Sequence, residues 1–325
     1  MNRRPSVLAG PAARDLARKV AQAVSVMLLV SITVFFAMRL IPGNPAKDVL
    51  GNKATPVAVA ALDQRLGLDR PLIAQFWSFL KGVPTLSFGN SLVEEGVSVR
   101  HIIFDGLGVT ALVVTASTAM SLVVGVPLGL WAALARRQQV VSHSVQSVAV
   151  VLLAAPPFLI GLLLIFAFSV KLGLFPVGGW GKGLGSDLSH LALPAVALSG
   201  YLIPLVIRTV RQAALDASRE LYVEASIARG ISSRSIMYKQ ILPNSLLPLI
   251  TLIGLNVGTL ISGAIVIEAI FALPGLGTAL YQAVNALNYT VIEGCAIIAA
   301  FSVVIANLSA DALYILVDPR VRRQA

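Results

Sequence analysis

The chain has 325 residues, 57% of them hydrophobic and only 12% charged, with a mean hydropathy of +0.84. These values exclude an ordinary water-soluble domain and describe a chain that crosses a membrane several times. A net charge of +10 raises the question of nucleic acid, but the basic residues gather in particular loops, so the charge is topological and no nucleic-acid partner is expected.

Residues 1–19 carry Arg3, Arg4, Arg14, Arg18 and Lys19 ahead of an apolar run, the order found in a signal peptide. The run from Val20 to Ile41 is nevertheless about 22 residues long, enough to cross a ~30 Å hydrocarbon core, and no small-residue cleavage site clearly follows it. It reads as the first transmembrane helix (20–41), entered from a cytoplasmic N-terminus in which 12–21 suits an interfacial helix.

Residues 42–106 form a more polar, extracytoplasmic helical segment. Pro42-Gly43-Asn44-Pro45 stops the first helix. Thr55 is placed to cap a helix with Pro56 in its first turn and Gly67 at its end. Asp69-Arg70-Pro71 then opens a second helix, PLIAQFWSFLKG, whose Phe76, Trp77 and Phe79 need a surface to cover. That surface is either the transmembrane bundle, making the segment a cap, or a soluble extracytoplasmic partner that lands there.

Residues 107–317 contain five further apolar blocks: 107–135, 145–172, 191–210, 241–271 and 291–317. The expected fold is therefore all-α, a polytopic membrane protein of six transmembrane helices with both termini cytoplasmic and a cytoplasmic tail at 318–325. This orientation puts most Lys and Arg on the cytoplasmic side, including Arg136, Arg137, Arg208, Arg211, Arg219, Arg229, Arg234, Lys239, Arg320, Arg322 and Arg323. The loop 272–290, with no Lys or Arg, falls outside. Gly125 and Gly129, and Gly254 and Gly258, supply small residues at four-residue spacing for close helix packing. Pro127, Pro156-Pro157, Pro194, Pro204 and Pro248 are expected to bend or break their helices. The block 241–271 is about 31 residues, ~46 Å as a helix, and must tilt, kink or protrude.

Between the fourth and fifth spans lies a cytoplasmic loop, 211–240, and around it the polar stretch ELYVEASIARGISSRSIMYKQILPNSLLP from Glu220 to Pro248. Val223, Ile227 and Ile231 recur every four residues on one helical face, and Glu220 and Glu224 share another. Gly230 interrupts the pattern with the residue best suited to a left-handed turn, and Ser232-Ser233 can cap a new helix. The result is helix, sharp turn, helix, which either lies on membrane lipid or docks a soluble partner.

Ionisable residues inside a membrane are functional candidates. Glu268 and Glu293 lie near the outer ends of the fifth and sixth spans, and Asp311 near the cytoplasmic end of the sixth. Near the midplane only uncharged groups occur, such as Ser117, Thr118, Asn256 and Ser262. Asn256, Ser262 and Glu268 are the candidates for a translocation path or its gate. The lack of midplane carboxylates argues against a self-contained ion-coupled carrier or channel, which is the alternative reading. No catalytic site is expected. His101, His143 and His190 form no HExxH, no GxSxG occurs, and Lys182 of GGWGKGLG is followed by Gly183 where a phosphate loop needs Ser or Thr. Cys295 is the sole cysteine, so neither a disulfide framework nor a cysteine metal cluster is available. A transporter of this composition has to draw its energy from another chain.

Glu224-Ala225-Ser226, Gly230 and Leu242-Pro243 resemble the Glu-Ala-Ala...Gly...Leu-Pro cytoplasmic loop of ATP-binding-cassette importer permeases. More narrowly, the chain resembles the first permease subunit of the dipeptide/oligopeptide/nickel family. Arg39 with Ile41-Pro42-Gly43-Asn44-Pro45, Leu66-Gly67-Leu68-Asp69-Arg70-Pro71, Pro156-Pro157-Phe158, Glu268-Ala-Ile-Phe271 and Pro274-Gly275-Leu276-Gly277 carry that likeness, with Asp311, Tyr314 and Asp318-Pro319-Arg320 beyond them. Ser226 stands where the loop motif has its third alanine, and Ile227 where peptide-type members often have a basic residue. The resemblance implies a type I importer permease fold in an inner membrane. It also implies as partners a second related permease, two cytoplasmic ATPase subunits and an extracytoplasmic solute-binding protein. ATP and Mg would then bind to the ATPases and no cofactor to this chain. The coupling residues would be Val223, Glu224, Ala225, Ile227, Gly230, Ile231, Leu242 and Pro243. Peptides are the first choice of substrate; nickel chelates, glutathione-like compounds and sugar-containing oligomers stay open.

Overall fold

The computed structural model describes residues 11–40, 43–51, 54–94, 96–134 and 139–317. The expected tail at 318–325, and Arg136-Arg137, lie outside them, as do the side chains of Asp311 and Tyr314. In chain order the helices are α1 (Pro11–Leu40), α2 (Pro45–Leu50), α3 (Pro56–Leu66), α4 (Leu72–Gly82), α5 (Val99–Leu134), α6 (Gln139–Ala154), α7 (Pro157–Leu164), α8 (Leu184–Ala217), α9 (Leu221–Ala228), α10 (Ser233–Ile236), α11 (Leu242–Ile270), α12 (Leu276–Asn285) and α13 (Tyr289–Val317). Among the described residues, five helical stretches are long and apolar enough to span a membrane. The bent pair of α6 with α7 and its π-helical extension to Lys171 meets the same measure when its two arms are taken together. The chain divides into two units, Met1–Ile103 with Gln282–Ala325, and Phe104–Tyr281.

In the first unit, α1 is one continuous helix, so the expected interfacial stretch 12–21 runs into the span without a break. Pro42 of the expected PGNP stop lies outside the described residues; Asn44 starts α2, its side-chain oxygen accepting from the Ala46 and Lys47 amides. Thr55 accepts from the Ala58 amide at 3.2 Å to cap α3. Gly67, left-handed at φ +67°, closes α3, with the Leu68 amide donating to the Asp63 carbonyl. The aromatic residues of α4 then pack on α1: the Phe76 ring lies 5.2 Å from Phe35 and 5.8 Å from Phe36, and Phe79 lies 5.5 Å from Phe35. At the outer end of α1, the Arg39 guanidinium stacks on Phe35 and donates to Glu293 Oε1 of α13 at 2.6 Å. Beside this ion pair is a cavity of about 490 Å³ whose walls include Arg70, Gln75, Asn90 and Thr290.

In the second unit α8 is the central helix. Its Leu198, Leu202, Val206 and Val210 are buried in one cluster with Val113 of α5 and Leu260, Ala264 and Ile267 of α11. Small residues let α5 approach α8 closely. A Cβ added at Gly125 would lie 2.7 Å from the Val206 side chain, and one at Gly129 would lie 2.9 Å from the Ile207 carbonyl. The prolines behave differently from one another. Only Pro156-Pro157 breaks a span, turning α6 and α7 through 98°. α5 runs through Pro127, α8 through Pro194 and Pro204, and α11 through Pro248. Of the expected bends and breaks, the break is thus found at Pro156-Pro157, while the other four prolines lie inside continuous helices. A membrane helix keeps a proline when neighbouring turns and packed helices satisfy the freed carbonyl. The long fifth block belongs to a continuous helical stretch, Ser233–Ile270, that begins before the apolar run.

Candidate functional site

The cytoplasmic turn is built by three local devices. α9 ends in a paired cap: the Ile231 amide donates to the Ser226 carbonyl at 3.1 Å, and the Gly230 amide donates to the Ile227 carbonyl at 2.9 Å. This geometry needs a left-handed residue, and Gly230 has φ +73°. Ser232 then caps α10, its hydroxyl accepting from the Ser235 amide. Residues 237–241 form a π-helical turn that carries α10 directly into α11.

A polar latch holds α9 against this π turn. Gln240 Nε2 donates to Ser226 Oγ at 2.8 Å, and Ser226 Oγ donates to the Tyr222 carbonyl at 2.8 Å. Asn244 Nδ2 donates to the Tyr222 hydroxyl at 3.1 Å and to the Gln240 carbonyl at 2.6 Å. Tyr222, Gln240 and Asn244 are outside the coupling set expected from sequence. The available signal was Ser226, a hydroxyl where the loop motif has alanine.

The four-residue periodicity of Val223, Ile227 and Ile231 does not give one shared face. Val223 is 2% exposed, packed with Ala133, Ala214, Ala217, Ile236 and Ile241, whereas Ile227 is 62% exposed. Val223 is thus packed inward against α5, α8, α10 and the π turn while Ile227 faces out, and the turn at Gly230 places Ile231 beyond the helix. The outward surface includes Leu221, Tyr222, Glu224, Ile227, Ala228, Arg229, Ile231 and Arg234. Ala225 and Leu242 are half-buried, and Pro243 is exposed in the first turn of α11.

The pathway candidates do not come together. Asn256 is half-buried, with Oδ1 accepting from the Tyr201 hydroxyl of α8 at 2.9 Å. Ser262 is exposed and donates only to the Gly258 carbonyl of its own helix. Glu268 is fully buried and cannot line an open path in this conformation. Its Oε2 accepts from the Gly277 amide at 2.7 Å, so it caps α12 from the preceding helix. Gly275 lies so close to the carboxylate that a Cβ there would overlap it. Thr110 of α5 holds the same loop by accepting from the Leu276 amide at 2.9 Å. The Pro274-Gly275-Leu276-Gly277 run is thus a cradle for Glu268. Among the described residues, no group of three or more His, Cys, Asp or Glu is placed to hold a metal ion.

Comparison with known proteins decides the family. Residues 125–323 match the family model of the binding-protein-dependent transport system inner membrane component, and residues 13–113 match the N-terminal model of the same systems. The chain belongs to this family. A putative peptide transport system permease protein of Brucella abortus is 35% identical to this permease over 309 residues, covering 94% of this chain and 98% of that protein. The oligopeptide transport system permease protein AppB of Bacillus subtilis is 32% identical over 310 residues, covering 94% and 98%. An inward-facing structure of the MetNI methionine ABC transporter superposes with a TM-score of 0.54 at 20% identity, over 67% of this permease and 96% of that chain. That match shows the fold, a type I ABC importer permease. The protein is a multi-pass membrane component of a binding-protein-dependent transport system.

Proposed function

We propose that this permease forms half of the translocation pathway of an ATP-driven importer of di- and oligopeptides in a bacterial inner membrane. A second related permease supplies the other half. Two cytoplasmic ATPases carry the ATP and Mg site, and an extracytoplasmic binding protein delivers the substrate. The observation that carries the reading is the turn between α9 and α10: an exposed surface of Leu221, Glu224, Ile227 and Ile231, flanked by the basic Arg229 and Arg234, at the start of the continuous helical stretch Ser233–Ile270 that contains α11. Movement of an ATPase bound to that surface is transmitted to a membrane span without an intervening flexible linker. The peptide assignment is supported by the names of the Brucella abortus and Bacillus subtilis relatives.

The test is reconstitution of the permease with its partner subunits in proteoliposomes, with labelled peptide uptake and ATP hydrolysis measured together. Peptide-stimulated hydrolysis and uptake are expected in the wild type and are both lost in Glu224→Arg, with membrane insertion unchanged. Wild-type coupling in purified Glu224→Arg overturns the coupling assignment, and uptake that stimulates no ATP hydrolysis overturns the importer reading.

A further inference from the structure

Helix α4 has two apolar faces, of which only one is covered. Phe76 and Phe79 lie against α1, whereas Ile73 is 74% exposed, Trp77 56% and Leu72 55%. Ile73 and Trp77, four residues apart, share a stripe that a water-facing helix would fill with polar residues. The depth of this stripe follows from its neighbour. The apolar span of α1, Val20–Leu40, has 21 residues, ~31 Å at 1.5 Å per residue, which equals the ~30 Å hydrocarbon core with nothing to spare. Phe36 and Phe35, four and five residues before the end of that span, therefore lie roughly 6–8 Å below its outer boundary. Phe76 touches both rings, so α4 runs beside the end of the span rather than above it. The exposed Leu29, Ile32, Phe36 and Leu40 of α1 form an apolar strip that continues through Phe76 onto the open face of α4. Exposed Arg70 and Lys81 stand just before α4 and in its last turn, cations of the kind that meet phosphate head groups.

We propose that α4 is an interfacial helix embedded in the outer leaflet, with Leu72, Ile73 and Trp77 against lipid acyl chains and Arg70 and Lys81 at the phosphates. Tryptophan is enriched at this depth because its ring is apolar and its N–H is not. The occupant is lipid because the open face continues the lipid-exposed surface of α1. A soluble protein would have to reach below the head groups to cover it. The inference rests on insertion of α1 and is independent of the ATPase and peptide assignments.

The full-length permease, carrying Cys295→Ala, is reconstituted in phosphatidylethanolamine and phosphatidylglycerol vesicles with a nitroxide at Ile73→Cys. Leu29→Cys serves as the lipid control and the exposed Gln64→Cys of α3 as the water control. The Ile73 label is expected to collide with oxygen as the Leu29 label does and to be shielded from a water-soluble nickel chelate. Nickel access matching that at Gln64 overturns the proposal. So does a label immobilised and shielded from both reagents, which would mean that protein covers the face. A second measurement keeps Trp77 as the sole tryptophan, with Trp131→Phe and Trp180→Phe. Phospholipids brominated high in the acyl chain are expected to reduce its emission by about half or more. No reduction, with full quenching by aqueous acrylamide, overturns the proposal.

Discussion

At the scale of single residues, Gly230 and Ser226 show how one atom decides the geometry of the cytoplasmic turn. No atom lies within 4 Å of where a Cβ on Gly230 would be, so its substitution is opposed by backbone conformation and not by crowding. Gly230→Ala is expected to cost about 1–2 kcal/mol, the usual penalty for a left-handed alanine. Gly230→Pro removes the amide that bonds to Ile227 and imposes an incompatible φ, so peptide-stimulated ATP hydrolysis is expected to vanish while membrane insertion persists. ATPase assays of the two variants in proteoliposomes distinguish a graded loss from a complete one. Ser226→Ala leaves the Gln240 amide without its partner in a buried site, at about 1–3 kcal/mol, and frees α9 from the π turn. Its signature is weakened coupling with little change in ATPase binding, read from the ratio of peptide transported to ATP hydrolysed.

At the scale of elements, two contacts fix how helices meet. The approach of α5 to α8 depends on Gly125 and Gly129, and Gly129→Leu is expected to destabilise that packing by about 1–3 kcal/mol through overpacking, seen as a lower unfolding midpoint in detergent. The Arg39–Glu293 pair joins the outer ends of α1 and α13. Arg39→Ala strands a carboxylate that retains only 11% side-chain exposure, and a loss approaching ~3–5 kcal/mol is expected, whereas Arg39→Leu with Glu293→Leu restores most of it. Thermal unfolding of the single and double variants measures that difference. Helix ends at Asn44, Thr55, Gly67 and Ser232 follow rules that act over four or five residues and are readable in sequence. The one proline pair that interrupts a helix was readable too, since a residue before a proline is pushed out of the helical region and Pro156 has ψ 136°, whereas the isolated Pro127, Pro194, Pro204 and Pro248 lie inside continuous helices.

At the scale of the whole molecule, an importer powered by other subunits and a self-contained carrier make opposite predictions. Peptide uptake by cells is expected to fail on ATP depletion and to survive a proton ionophore when ATP is maintained; the reverse pattern identifies an ion-driven carrier. Pairing with Arg39 commits Glu293, and the Gly275–Gly277 cradle commits Glu268, to contacts that hold helices together rather than to an ion relay. The sequence by itself determined the membrane class, the apolar helical blocks and the positions of most caps and turns, because hydropathy and capping act over short stretches of chain. The tertiary structure alone decided that Val223 faces inward while Ile227 faces out, that Ser226 is a latch, that Glu268 caps α12 and that α4 lies beside the outer end of α1. Each of these depends on which distant segment fills the space around a side chain, and helical periodicity is blind to that.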